Sequence, residues 1–112
     1  MLNQIILVGR LTRDITVNKS EKGVKIATIS LAIPRSFKNS EGIYETDFVE
    51  CVAFEGTAEN TSLYCSKGDI VGVKGRLQTR VLENDNEKKY IMEVVAEKIT
   101  FLSSKKSQKE TE

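Results

Sequence analysis

Histidine and tryptophan are both missing from this chain of 112 residues, proline occurs once and cysteine twice. Without histidine there is no imidazole base for a Ser or Cys nucleophile and no histidine ligand for zinc. No Walker-type or dinucleotide-binding glycine motif is present. The acidic residues are scattered, usually beside a lysine, and are not set as a catalytic pair. These absences point away from an enzyme, and neither a cofactor nor a metal is expected. Cys51 and Cys65 lack a CxxC spacing and stand in apolar or helical surroundings, which reads as two buried free thiols. No apolar run approaches the ~18 residues of a membrane span, and the N-terminus lacks the basic-then-apolar pattern of a signal peptide. A soluble, cytoplasmic protein with no membrane partner is expected.

Excess charge of one sign is missing too. The 17 basic and 16 acidic residues leave a net charge of +1. Setting aside the three lysines and two glutamates of the last ten residues, SSKKSQKETE, leaves 14 of each sign in residues 1–102. Binding to a polyanion would therefore have to come from sorting charges onto different faces.

What the chain does have is two-residue alternation. Ala27, Ile29, Leu31 and Ile33 share one side of a strand, with Thr28 and Ser30 opposite. Further strands are expected over Leu2–Arg13, Thr46–Phe54, Ile70–Leu82 and Lys88–Leu102. The only expected helix lies in GTAENTSLYCSKG, closing at Lys67-Gly68. The connections VNKSEKG, SFKNSEGIYE and ENDNEK are polar, the last a hairpin loop rich in Asn and Asp. Five strands with one helix between the third and fourth is the plan of an all-β OB-fold barrel, with a generic β-sandwich as the rival. One domain is expected over 1–102, followed by a disordered polar tail over 103–112.

Parity supplies the candidate site. If Val49, Cys51 and Ala53 face the core, Phe48 and Phe54 stand together on the outer face, too far apart to touch. The opposite choice would bury the rings and leave the small residues on the surface. Phe37, between Arg35 and Lys38 in a polar loop, is either a third platform or an anchor for its loop. Tyr44 and Tyr90 read as packing residues. The stretch VKGRLQTR places Lys74, Arg76, Gln78 and Arg80 in one row, which either tracks a phosphate backbone or is a solvated face. The earlier GRLTR puts Arg10 and Arg13 on opposite sides, so the shared Gly-Arg-Leu reads as a strand-bending element. Flat rings beside a basic row suit single-stranded nucleic acid without sequence readout, since every base has a π-face and every nucleotide a phosphate.

Over Met1–Leu102 the sequence resembles the bacterial single-stranded DNA-binding protein family. The resemblance rests on MLNQIILVGRLTRD, ATISLAIPRSF, TDFVECVAFEGTAEN, SKGDIVGVKGRLQTR and EVVAEKITFL in that order. It implies an OB-fold that assembles as a homotetramer and wraps single-stranded DNA in replication, recombination and repair, in the cytoplasm at the nucleoid. The family's stacking positions fall on Phe37, Phe48 and Phe54, and its basic contacts on Arg35, Lys67 and Arg80. Arg10, Lys74 and Arg76 are added from the residue reading alone.

Several positions depart from the family pattern. The family often stacks on tryptophan, Leu82 stands where Tyr or Trp is common, and Glu55-Gly56 follows Phe54 where a basic residue is usual. Asn18-Lys19 replaces Arg-Tyr. Each change is expected to weaken binding. The ending KKSQKETE lacks the family's acidic tip, which reads as a short accessory form or else as a chain cut short, in either case without tip-mediated recruitment of repair enzymes. The competing function is an OB-fold protein–protein adaptor of the replication machinery with weak DNA affinity.

Overall fold

The computed structural model describes residues 1–104; the expected tail lies, from Lys105 onward, outside the described residues. The elements run β1 (Ile5–Leu11), β2 (Val17–Lys19), β3 (Lys25–Lys38), β4 (Tyr44–Phe54), α1 (Glu55–Tyr64), β5 (Ile70–Asn84) and β6 (Glu87–Ser103). The strands form one sheet in the order β1-β5-β6-β4-β3-β2. A further β1–β3 pairing, Arg10 with Ala32 and Leu11 with Leu31, closes a barrel of five strands. All pairs are antiparallel except β4–β6, which meets in parallel at Cys51–Val94 and Val52–Val95.

The expected OB-fold is what forms, and α1 lies between β4 and β5, the third and fourth of the barrel strands. The extra element is β2, in a stretch read from sequence as a loop. It pairs with β3 at Ala27–Lys25, further along the strand that β1 has just left. β1 and β2 thus act as one interrupted strand, which keeps the count of barrel strands at five.

The interior follows the alternation. Ala27, Ile29 and Leu31 of β3 are buried against Cys51 and Ala53 of β4 and Val71 and Val73 of β5. β1 adds Leu11, and α1 closes one end with Ala58 and Thr61 buried. The helix begins and ends earlier than expected, since Cys65 is already extended. Gly68 (φ +95°) sits in the following turn, where its amide donates to the Leu11 carbonyl (2.9 Å) and ties the start of β5 to the end of β1.

The Gly-Arg-Leu echo has a physical reason at both sites. A Cβ on Gly9 would come within 2.9 Å of Ile33 Cγ1 and 3.0 Å of the Ala32 carbonyl oxygen, where β1 crosses β3 to close the barrel. A Cβ on Gly75 would fall inside the Val95 carbonyl oxygen. There the β5–β6 register slips by one residue between Lys74 and Gly75. Both glycines let two backbones approach where a strand turns the corner.

Beyond the barrel, β5 and β6 continue as a long hairpin arm. Its tip is Asp85-Asn86, both at positive φ (43° and 71°), the pairing a two-residue hairpin turn needs.

Candidate nucleic-acid interface

β4 positions two of the rings. Cys51 and Ala53 are buried, so Phe48 and Phe54 stand outward, 75% and 37% exposed. In the β3–β4 register, Phe48 lies opposite Ala32 and Phe54 opposite Ile26, with Thr28–Val52 and Ser30–Glu50 between. Six residues of strand separate the rings by ~20 Å. The two rings are thus separate platforms, with Thr28 and Ser30 of the neighbouring strand between them.

Phe37 was expected in a loop and is in fact on β3. Two extra residues on β3 separate the Pro34–Thr46 pair from Lys38–Tyr44, a bulge that begins at the chain's single proline. Proline donates no ladder hydrogen bond, so it fits a place where pairing is broken. The bulge re-aims Phe37, which is 64% exposed. Beside it, Arg35 bonds both Asp47 oxygens (3.2 Å from Nε, 2.9 Å from Nη2 to Oδ1) and Glu45 (2.7 Å). Hydrogen bonding from Arg35 holds the Asp47 carboxyl below its ordinary range, and the same bonds with Asp47 raise the guanidinium.

The β5–β6 arm completes a groove of about 560 Å³. Phe54, Val52 and Thr28 line its barrel side, while Gln78, Arg80, Ile91 and Glu93 line its arm side. A smaller depression of about 220 Å³ holds Phe48 with Arg13, Ser30 and Glu50. Glu50 borders both, so the two recesses form one continuous track along the outer face of β4.

Residues 2–102 match the family model described as the Single-strand binding protein family. The chain belongs to that family. It is 46% identical over 110 residues to single-stranded DNA-binding protein B of Bacillus subtilis (strain 168), covering 97% of each chain. It is 48% identical over 108 residues to a single-stranded DNA-binding protein of Staphylococcus aureus (strain MRSA252), covering 96% of this chain and 69% of that one. Among solved structures, a deletion mutant of the single-stranded DNA binding protein from Thermus aquaticus superposes with a TM-score of 0.77 at 30% identity. That match covers 93% of this chain and only 52% of the other, about half its length.

Within this single-strand binding fold the expected cations divide. Arg80 lines the groove with Phe54. Arg76 lies in the same strand row, its Nη1 donating to Gln78 Oε1 (2.9 Å). Lys67 is exposed, its loop held by its own amide donating to Asp14 Oδ1 (2.8 Å). Arg10 is half-buried and donates from Nη1 to the Gly68 carbonyl (2.7 Å), a bond that secures the β1–β5 junction. Lys74 is exposed beside Ile6 of β1 and Lys98 of β6. Of the expected cations only Arg80 lines either recess; Arg10, Arg35, Lys67, Lys74 and Arg76 line neither.

Four further observations refine the sequence reading. Arg13 was not singled out, yet it sits beside Phe48, 3.0 Å from Glu50; it lies past the end of β1, where parity no longer assigns a side. Tyr44 and Tyr90, read as packing residues, are both exposed. Tyr90 projects from the arm, beyond the barrel that would have covered it. Tyr44 stands at the β3–β4 hairpin with Lys38 Nζ 5.6 Å from its ring. Glu55, expected beside the Phe54 ring, takes positive φ (50°) and its carboxylate accepts from the Lys25 amide (3.4 Å).

Among the described residues no group of His, Cys, Asp or Glu could hold a metal, and no helix is long and apolar enough to cross a membrane.

Proposed function

We propose that this protein binds single-stranded DNA without catalysing a reaction and with little sequence preference, protecting exposed strands in replication, recombination or repair. Bases stack on Phe37, Phe48 and Phe54, while Arg35, Lys67, Arg76 and Arg80 meet phosphates. Arg10, which donates to the Gly68 carbonyl, and Lys74, between β1 and β6, contribute at most to the long-range field. The observation that carries this reading is the pair of phenylalanines turned outward on one strand face, beside Thr28, Ser30 and Ala32. Each base–aromatic stack is worth about 1–3 kcal/mol. The relatives' printed names agree with it, and the adaptor alternative has no comparable observation in its favour. A cytoplasmic, nucleoid-associated location follows from the substrate.

The test is fluorescence anisotropy of a labelled dT oligomer, wild type against Phe54→Ala. Wild type should bind, and Phe54→Ala should weaken binding roughly 5- to 150-fold, the factor a lost stack implies. Equal binding by both would remove Phe54 from the interface.

We extend the reading to a homotetramer. Ile6 and Val8 on the outer face of β1, with Leu102 of β6, leave an apolar sheet face uncovered in the single chain. Sedimentation equilibrium should return four chain masses; a monomer would exclude this assembly.

A further inference from the structure

Arg80 and Arg13, which line the two recesses, and Arg35 and Arg76, which lie outside them, all have carboxylates already against them. Arg80 Nε stands 3.3 Å from Glu93 Oε2, Arg13 Nη2 3.0 Å from Glu50, Arg35 is held by Asp47 and Glu45, and Arg76 Nε is 3.9 Å from Glu97. Of these carboxylates, Glu50 and Glu93 line the groove itself. Their settings differ. The Glu50 side chain is 68% exposed and its pairing is screened by water, whereas Glu93 is only 19% exposed. Glu93 also accepts from Gln78 Nε2 (2.7 Å), and Gln78 Oε1 accepts from Arg76. One carboxylate thus ends a relay that runs from Arg76 through Gln78 and also engages Arg80.

A phosphate offers Arg80 the same kind of anionic oxygen that Glu93 already supplies. It can reach the guanidinium only by displacing Glu93 or sharing with it, and either way a second negative charge remains nearby. We infer that Glu93 is an internal competitor for phosphate, setting the affinity of the groove by occupying Arg80. This inference rests on the single-stranded DNA reading above. It also bears on salt. Each phosphate neutralised by a protein cation releases condensed counterions. A carboxylate freed in the exchange recaptures a cation, so net release is smaller. Binding is therefore weaker, and its salt dependence flatter, than the arginines along the track imply. Glu50 acts on Arg13 in the same sense but less, because it is more exposed.

The test compares wild type, Glu93→Gln, Arg80→Ala and the Arg80→Ala/Glu93→Gln double variant on a dT oligomer across a salt series. Glutamine keeps an acceptor for Gln78 while removing the charge, and thermal melting checks that the variant folds. Glu93→Gln should tighten binding roughly 1.4- to fivefold or somewhat more, the lower span being that of a fully exposed pair. It should also steepen the log–log salt slope by up to about 0.7, the release per single-strand phosphate. The gain should shrink when Arg80 is absent. Glu50→Gln, on an exposed side chain that folding does not need, should shift affinity the same way by less. Unchanged or weaker binding by Glu93→Gln would overturn the inference and make Glu93 a residue that positions Arg80 for DNA. Phe54→Ala separates the two claims, since it reports on the stacking reading alone. If wild type fails to bind and Glu93→Gln binds, the competitor is supported; if neither binds, both readings fall.

Discussion

Phe48 is 75% exposed and Phe54 37%, so each gives up part of the burial that stabilises a core phenylalanine by about 1.5–3 kcal/mol. The orientation was legible in the sequence because their neighbours Val49, Cys51 and Ala53 fit a tight barrel interior better than two rings would. Cys51 shows the other face of that choice. Burial pushes its thiol up from 9.0 to about 11. A thiol raised in the folded state favours folding fully below its unfolded value, and that contribution is lost as pH rises through the folded one. Urea midpoints should therefore fall between pH 8 and pH 11 by more in wild type than in Cys51→Ala; an identical fall in both would show that Cys51 ionises freely. Charge was harder to read than packing. A row of Lys and Arg in β5 is visible in the sequence, but Glu93 lies 13 residues beyond Arg80 and only the hairpin register brings them together.

At the scale of elements, the strands were legible where an uninterrupted run continues from a buried stretch, as in β4, β5 and β6, and illegible at a bulge or in a very short pairing. β3 was read as far as Ile33, the last residue packed on the core, yet it runs to Lys38 through a bulge that period-two patterning does not anticipate. The same limit hid β2, whose three residues carry one half-buried valine. The glycines are the opposite case, since a repeated Gly-Arg-Leu marks both corners of the barrel. Gly75→Ala should destabilise the fold by about 3 kcal/mol or more, as a Cβ there must displace strand backbone rather than a flexible side chain. Gly72→Ala, where the new atom meets only Leu102 Cδ1 at 3.6 Å, should be nearly neutral. Urea denaturation of the two variants checks this, and equal midpoints would show that the Val95 carbonyl yields without strain.

At the scale of the whole molecule, a closed barrel leaves few free edges, so its outer faces are available for binding. One face carries Phe48 and Phe54 in a track bounded by the β5–β6 arm, with Phe37 exposed further along β3. Another carries the exposed Ile6 and Val8, the face on which the proposed homotetramer rests. With net charge near zero, attraction to DNA depends on which cations lie along the track and which carboxylates already hold them. Duplex DNA keeps its bases stacked inside and cannot present them to the rings. The most direct measurement is therefore anisotropy of a labelled dT oligomer bound by the protein, competed with unlabelled duplex of equal length at two salt concentrations. Tight binding that weakens with salt and that duplex fails to displace is the expected result. Equal displacement by duplex and by single strand would contradict it, because binding would then run through phosphates alone and the exposed phenylalanines would have no part in it.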